Sequence, residues 1–407
     1  MTQRAAPSSG RVECTDWGLV MLALGLGAVA AYHQFKLPPV LPLLLERYGY
    51  DRAVAGGFMG IYAAVGLALS TLIGLTIERR GLRRSLMVSF AFLLAGSGLS
   101  LIAPSEAIVM LIARGIEGLG FAIIAIVAPV LATSSATRQH VPIAIAIFAA
   151  WIPAGQLIAS LLASPIVAGE QWRPLWWIGI GITLCAAALV WRRTAHAPNL
   201  APRHHGRLAL LPAQWAGLVL NAIVFMLWST ELFAFYTWMA QFLVEQRGLT
   251  LAASQWPYSL SVAGILVFSI IGGFLLRRGL SFTAMMALGL ALQAAVWFVV
   301  PWLESEVLGL ILVALYGAAS GITPTGLFAG PAIMLGPEKA RGTAYGVLMT
   351  GRNSGVLLGP VLLPFVHDWL GSWGRIGLVF GAIAALATVL ALVLGVLVRR
   401  LPKPVIA

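Results

Sequence analysis

Charge is what this sequence has least of. Of its 407 residues, 10% are Asp, Glu, Lys or Arg and 60% are apolar, and the mean hydropathy is +0.92. No water-soluble core hides that much apolar surface, so the solvent for most of the chain is a lipid bilayer. The same scarcity argues against disorder and against nucleic-acid binding. The net charge of +12 is split among short stretches between apolar runs and forms no basic stripe. Cysteine is nearly absent: Cys14 and Cys185 lie far apart and match no disulfide or metal spacing. The six histidines are scattered, and the pair His204-His205 sits in a basic stretch where solvation is the simpler reading, so neither metal nor cofactor is expected. No nucleophile–base pair or nucleotide loop occurs at usable spacing, and enzymatic activity is not expected. The first apolar run, from Trp17, is too long for a cleavable leader and has no convincing cleavage site.

Long apolar runs are what the sequence has in abundance. A bilayer crossing needs about 20 residues. Twelve runs qualify, at about 17–45, 54–77, 85–103, 107–133, 141–167, 174–191, 213–243, 253–276, 282–301, 306–334, 342–366 and 374–398. The longest polar stretch, Trp191–Leu211, carries Arg192, Arg193, Arg203 and Arg207 and divides them six and six. The expected organisation is a tail (1–16), a six-helix bundle (17–191), a linker (192–212), a second six-helix bundle (213–398) and a tail (399–407). This is an all-α membrane protein of two pseudo-symmetric bundles. The two halves echo each other. Gly74, Arg79-Arg80 and Gly81-Leu82 reappear 198 positions later as Gly272, Arg277-Arg278 and Gly279-Leu280. Leu45-Glu46-Arg47-Tyr48-Gly49 reappears 199 positions later as Val244-Glu245-Gln246-Arg247-Gly248. Such internal repeats are common in transporters.

Basic residues set the expected orientation. Eighteen of the 26 Lys and Arg residues fall in the tails and loops on the side of the chain ends, five fall on the other side, and three lie inside apolar runs. That asymmetry puts both termini and the central linker in the cytoplasm, with the chain in an inner (plasma) membrane.

Between the second and third runs the chain reads Gly74-Leu75-Thr76-Ile77-Glu78-Arg79-Arg80-Gly81-Leu82-Arg83-Arg84. With twelve spans in two halves, this stretch resembles the major facilitator superfamily, whose turn reads roughly G-x-x-x-D-R-x-G-R-R. Gly74, Glu78, Arg79, Gly81, Arg83 and Arg84 match. Glu replaces Asp, and Leu82 stands where an Arg is usual. The resemblance spans about 17–398 and implies two bundles that rock about a central site. It does not identify the cargo. It also implies that the second helix borders the eleventh. The positive dipole end of that helix, near Gly342, would then meet Glu78 in one state and leave it to Arg79 in the other. On this reading Gly74, Glu78, Arg79, Gly81 and Arg83 form a conformational latch. The alternative is a solvated charge cluster that only sets topology.

Charges inside hydrocarbon are costly, so Lys36, Arg114, Glu117, Glu231 and Arg352 carry the most information. Arg114 and Glu117 stand i, i+3 on the fourth run and can pair. Arg114-Gly115-Ile116-Glu117-Gly118-Leu119-Gly120 resembles the superfamily pattern R-x-x-Q-G-x-G, which implies a place near the proton or substrate path; a self-neutralising structural pair is the alternative. Ten residues at 1.5 Å rise from Gly342 place Arg352 about 15 Å deep, near the midplane, with Asn353 beside it. No acid lies within reach on its own helix. A guanidinium there requires an anion, either the cargo or a carboxylate such as Glu231 or Glu117. Lys36 follows Tyr32 on the first run, next to Pro38 and Pro39, and either lines the site or snorkels to headgroups. Glu231 lies in an aromatic stretch that includes Tyr236 and Trp238, read either as cavity wall or as core packing.

The expected site is therefore Arg352, Asn353, Lys36, Tyr32, Tyr236 and Trp238 for substrate, with Glu117, Arg114 and Glu231 for proton coupling. The five buried charges sum to +1, which favours an anion. The fifth run has only Pro153-Ala154-Gly155 where drug–proton antiporters of the superfamily carry a Gly-rich element. Phe235-Tyr236-Thr237-Trp238 followed by Gly248 resembles the cyanate/nitroimidazole permease branch, which implies a small anion. The expected function is alternating-access transport of a small anionic solute, coupled to protons, by a monomer. Proton-coupled export of amphiphiles and a non-transporting sensor of the same fold stay open as alternatives.

Overall fold

The computed structural model describes residues 14–137, 139–140, 143–144, 147–148, 150–193, 210–303, 305–336 and 342–401, without the side chains of 70–80 and 342–343. Among these, thirteen α-helices build the fold: α1 (Trp17–Phe35), α2 (Leu41–Tyr48), α3 (Arg52–Arg80), α4 (Leu82–Ile102), α5 (Ala107–Ser134), α6 (Trp151–Ala168), α7 (Arg173–Arg193), α8 (Pro212–Arg247), α9 (Leu251–Arg277), α10 (Phe282–Val299), α11 (Glu306–Leu335), α12 (Gly342–Leu370) and α13 (Trp373–Arg399). α1 and α2 are one span. They are parted by a 3-10 turn at Pro38–Val40, because consecutive prolines withhold the N–H groups that would continue the helix.

The twelve spans divide into two bundles, α1–α7 and α8–α13. Among the described residues, eleven spans are long and apolar enough to cross a bilayer, and α12 is not one of them. The cause is its composition: Arg352, Asn353 and Ser354 lie in sequence within a Gly-rich helix. Exposed tryptophans mark both ends of the apolar band. Trp17, Trp191 and Trp215 ring the face that carries the chain ends; Trp177, Trp256, Trp302 and Trp369 ring the opposite, distal face. Indoles favour the boundary between hydrocarbon and water.

The repeat has a structural signature. Gly49 and Gly248, 199 positions apart, both take φ +62° as they end α2 and α8. Gly81 and Gly279 reverse the chain at φ +77° and +90°. Only glycine adopts such angles without strain.

The halves meet along two seams of different character. Between α3 and α12 the distal part of the seam is close: a Cβ on Gly56 would overlap the Pro360 carbonyl oxygen, and one on Gly60 would lie 3.0 Å from the Leu357 oxygen. Between α6 and α9 it is polar: Gln156 Nε2 donates to the Tyr258 hydroxyl at 3.0 Å, and Ser259 Oγ to Ser160 Oγ at 2.9 Å. Gln255 reaches the Pro39 carbonyl at 3.3 Å, and at the distal rim Arg52 pairs with Glu245 at 2.7 Å. Among the described residues, the hydrogen bonds and ion pairs that join the halves run from the middle of the bundle to the distal face. The molecule is closed there.

Candidate functional site

The proline break creates the first polar centre. Pro38 has no N–H for the Gln34 carbonyl four residues earlier, so that oxygen needs another donor. Arg114 on α5 supplies it: NH2 donates to the Gln34 oxygen at 2.8 Å and NH1 to the His33 oxygen at 2.7 Å. Its Nε reaches the Phe58 oxygen of α3 at 3.2 Å. One guanidinium thus ties three helices together.

Glu117, one turn on, accepts from four donors. Oε1 takes Lys36 Nζ at 2.7 Å and Ser97 Oγ at 2.5 Å; Oε2 takes Arg114 NH1 at 2.6 Å and the Tyr62 hydroxyl at 2.8 Å. Lys36 spends its other two protons on Ser97 Oγ (2.9 Å) and His33 Nδ1 (3.1 Å), and lies 4.7 Å from the Trp176 ring centre. His33 Nδ1 accepts, so its proton is assigned to Nε2, which donates to Thr183 Oγ1 at 2.8 Å. Lys36, His33, Arg114 and Glu117 are all fully buried. Lys36 therefore does not snorkel; it neutralises Glu117. A buried charge set of this kind is tolerable only when every donor and acceptor is matched.

The second half holds a different centre at the corresponding place. Gly118 lets α5 cross α3 closely, its Cβ position 3.2 Å from Tyr62 Cα; 199 positions on, Gly317 crosses α9 at Ser261. Next to Gly317 the Glu117 position is Tyr316, and the Lys36 position is Phe235. Where the first half is ionic, the second is aromatic. Phe235, Trp297 and Tyr316 touch with ring centres 4.8–5.1 Å apart. Glu231 is buried beside them. The Trp297 indole N–H donates to Oε1, Oε2 is buried, and the Tyr316 hydroxyl stands beside the carboxyl. Among the described residues no Lys or Arg pairs with Glu231.

Arg352 lies in the middle of α12, half-buried. NH1 donates to Asn353 Oδ1 at 3.0 Å, and the guanidinium lies 5.3 Å from the Phe233 ring centre. Asn353 Nδ2 would stand 3.2 Å from a Cβ on Gly66 of α3, which puts this pair on the seam between the halves. Neither Glu231 nor Glu117 pairs with Arg352. No ion pair to a described carboxylate holds it.

Three other expected site residues bond within the fold. The Tyr32 hydroxyl donates to the Leu175 oxygen at 2.8 Å, Tyr236 shares a hydrogen bond with Ser261 at 2.6 Å, and Trp238 donates to the Pro360 oxygen at 3.0 Å. All three are fully buried. In the turn after α3, Gly81 adopts its left-handed φ, and the Arg83 guanidinium stacks 3.9 Å from the Trp191 ring centre. The side chains of Glu78 and Arg79, and all but the helical backbone at Gly74, lie outside the described residues. Ser97, Tyr62, His33 and Trp297 were not among the expected site residues. They carry no charge, and only the fold brings them to Glu117 and Glu231.

The architecture agrees with comparison to known proteins. Residues 21–360 match the Major Facilitator Superfamily family model. The chain belongs to the Major Facilitator Superfamily. Among solved structures it is similar to a bacterial homolog of the human lysosomal transporter Spinster, crystallised in an inward-facing and occupied conformation. The TM-score is 0.75 at 12% identity, over 95% of this chain and 98% of that one. At that identity the likeness speaks for the fold. No curated protein matches the sequence. The chain is thus an integral membrane protein of a transporter family, and neither comparison singles out the cyanate/nitroimidazole branch.

Proposed function

We propose that this chain is a secondary transporter that moves a small anionic solute by alternating access, coupled to protons. The observation that carries the anion reading is Arg352. Its guanidinium lies on the seam between the halves, half-buried, with a neutral amide and a ring as partners. A fork of donors at the midplane suits a carboxylate-like or planar anion. The ionic centre adds to the field: Lys36 and Arg114 against Glu117 leave one positive charge on the first half.

With the termini in the cytoplasm, as the basic residues argue, closure at the distal face makes this an inward-facing shape. The bundles 17–191 and 213–398 would rock as units, within a monomer in the plasma membrane. Glu78 and Arg79 would latch the cytoplasmic side when it closes.

Export of amphiphilic cations is the second reading, and Glu231 among aromatic rings is the observation behind it. Those rings touch each other, leaving no slot between them for an organic cation. The anion reading is therefore preferred. Flux into proteoliposomes across a panel of small anions and one of lipophilic cations, each with and without a pH gradient, tests both. Uptake of an anion that a pH gradient accelerates supports the proposal. Selective cation flux overturns the anion reading, and no flux of any solute favours a sensor.

A further inference from the structure

The two intramembrane carboxylates differ in one countable respect. An ionised carboxylate has about four lone-pair positions. On Glu117 all four are filled by donors, two of them cationic. A proton added there would displace a hydrogen bond and leave Lys36 and Arg114 facing a neutral group. On Glu231 the donors are fewer and neutral: the Trp297 N–H on Oε1 and the Tyr316 hydroxyl beside the carboxyl, with Oε2 buried.

We infer that Glu231 alone carries the transported proton, on Oε2, and that Glu117 stays ionised as a fixed anchor. This deepens the transport reading above and rests on its proton coupling, not on the anion assigned to Arg352. The step balances simply. A hydronium ion from one side transfers a proton to the carboxylate, forming the Oε2–H bond and leaving water, and the reverse transfer occurs on the other side. The groups facing Glu231 leave it no other counter-charge among the described residues. α11 presents Tyr316, whose buried hydroxyl stands beside the Glu231 carboxyl and Ser320. α10 presents Trp297, and α13 presents Phe380 behind it at 4.9 Å. α9 presents Tyr258, 5.4 Å from Tyr236 between ring centres and hydrogen-bonded to Gln156. α12 presents Arg352, which lies against Phe233. α2 brings Glu46 and Arg47, both exposed at its distal end. The Tyr316 hydroxyl is the neutral group beside this carboxyl that can pair with it in either protonation state. From Tyr316 the aromatic contacts run through Tyr236 and Tyr258 to Gln156 across the polar seam. Protonation at Glu231 thereby reaches a contact that must break when the distal face opens.

Infrared difference spectra of the full-length protein in lipid, recorded across a pH titration without any substrate, test this directly. A buried protonated carboxyl gives a carbonyl stretch distinct from that of a carboxylate. The expected result is one such band, lost in Glu231→Gln, retained in the double variant Glu117→Gln with Lys36→Met, and shifted in frequency by Trp297→Phe. If Glu231→Gln fails to fold, Glu231→Asp takes its place and must move the band. The inference is overturned if no band titrates, if the band is lost in the double Glu117→Gln, Lys36→Met variant and kept in Glu231→Gln, or if sodium at fixed pH abolishes it, which would make the site one for a metal cation. The anion panel is read separately, so failure of either reading leaves the other intact.

Discussion

Gly118 and Gly317 are one helix crossing made twice. Each lets the fourth span of its half approach the second span closely, at Tyr62 and at Ser261. The residues just before them have diverged: Glu117 sits in a net of ions, Tyr316 in a cluster of rings. The halves therefore share a skeleton and divide the chemistry, and the expected outcomes below follow from that division.

Glu117→Gln removes the only carboxylate between Lys36 and Arg114. Breaking one partner out of a buried pair costs about 3–5 kcal/mol, because the remaining charge is stranded. Yield and thermal stability in lipid should fall sharply. The double change Glu117→Gln with Lys36→Met should recover much of the loss. A stable single variant would show that the ionic net does not hold α1, α4 and α5 together.

Gly56→Ala puts a methyl group against the Pro360 carbonyl oxygen, and backbone cannot move aside cheaply. The close α3–α12 seam should part. Spin labels on the α2–α3 and α8–α9 turns should report longer distances across the distal face. Unchanged distances would mean that the seam is not what closes this face.

At the rim, the Arg52–Glu245 pair is partly exposed. Such pairs contribute about 0.2–1 kcal/mol and weaken with salt. Glu245→Gln should shift the same distances slightly at low salt and not at high salt. A large, salt-independent shift would make Glu245 a principal gate, through its second bond to the Trp373 indole at 2.8 Å.

Glu78→Ala tests the latch on the opposite face. If Glu78 closes that side against the start of α12, the variant should favour the state seen here, closed at the distal face. Label distances across both openings measure it, and equal populations in variant and parent would leave Glu78 a topology signal.

The sequence carried the fold well, because length and hydropathy specify spans and repeated glycines specify turns. Most apolar runs coincide with helices, though the run from 141 becomes helix α6 only at Trp151 and the first run is parted at Pro38; Gly49 and Gly248 share one left-handed conformation, and Gly81 and Gly279 share a positive φ. Arg114 and Glu117 pair as i, i+3 spacing requires. What could not be read was who meets whom between helices. Lys36 and Glu117 are 81 positions apart, and nothing local distinguishes a snorkelling lysine from one that ends on a carboxylate. The Arg114 bond to the Gln34 carbonyl did leave a trace, since Pro38 removes that carbonyl's normal donor. Tyr32, Tyr236 and Trp238 show the limit of aromatic density as a signal: each spends its polar atom inside the fold.

Arg352 is the residue on which the account stands, and one paired measurement tests it. Binding of the anion identified by the flux panel is measured beside thermal stability for the parent, Arg352→Lys and Arg352→Gln. Losing the fork while keeping the charge should weaken binding by about 1.5–3 kcal/mol, the range for charge-assisted hydrogen bonds. Arg352→Gln should nearly abolish binding and leave stability close to the parent, since no described carboxylate is stranded. A well-folded Arg352→Gln protein that binds the anion as the parent does would contradict the account.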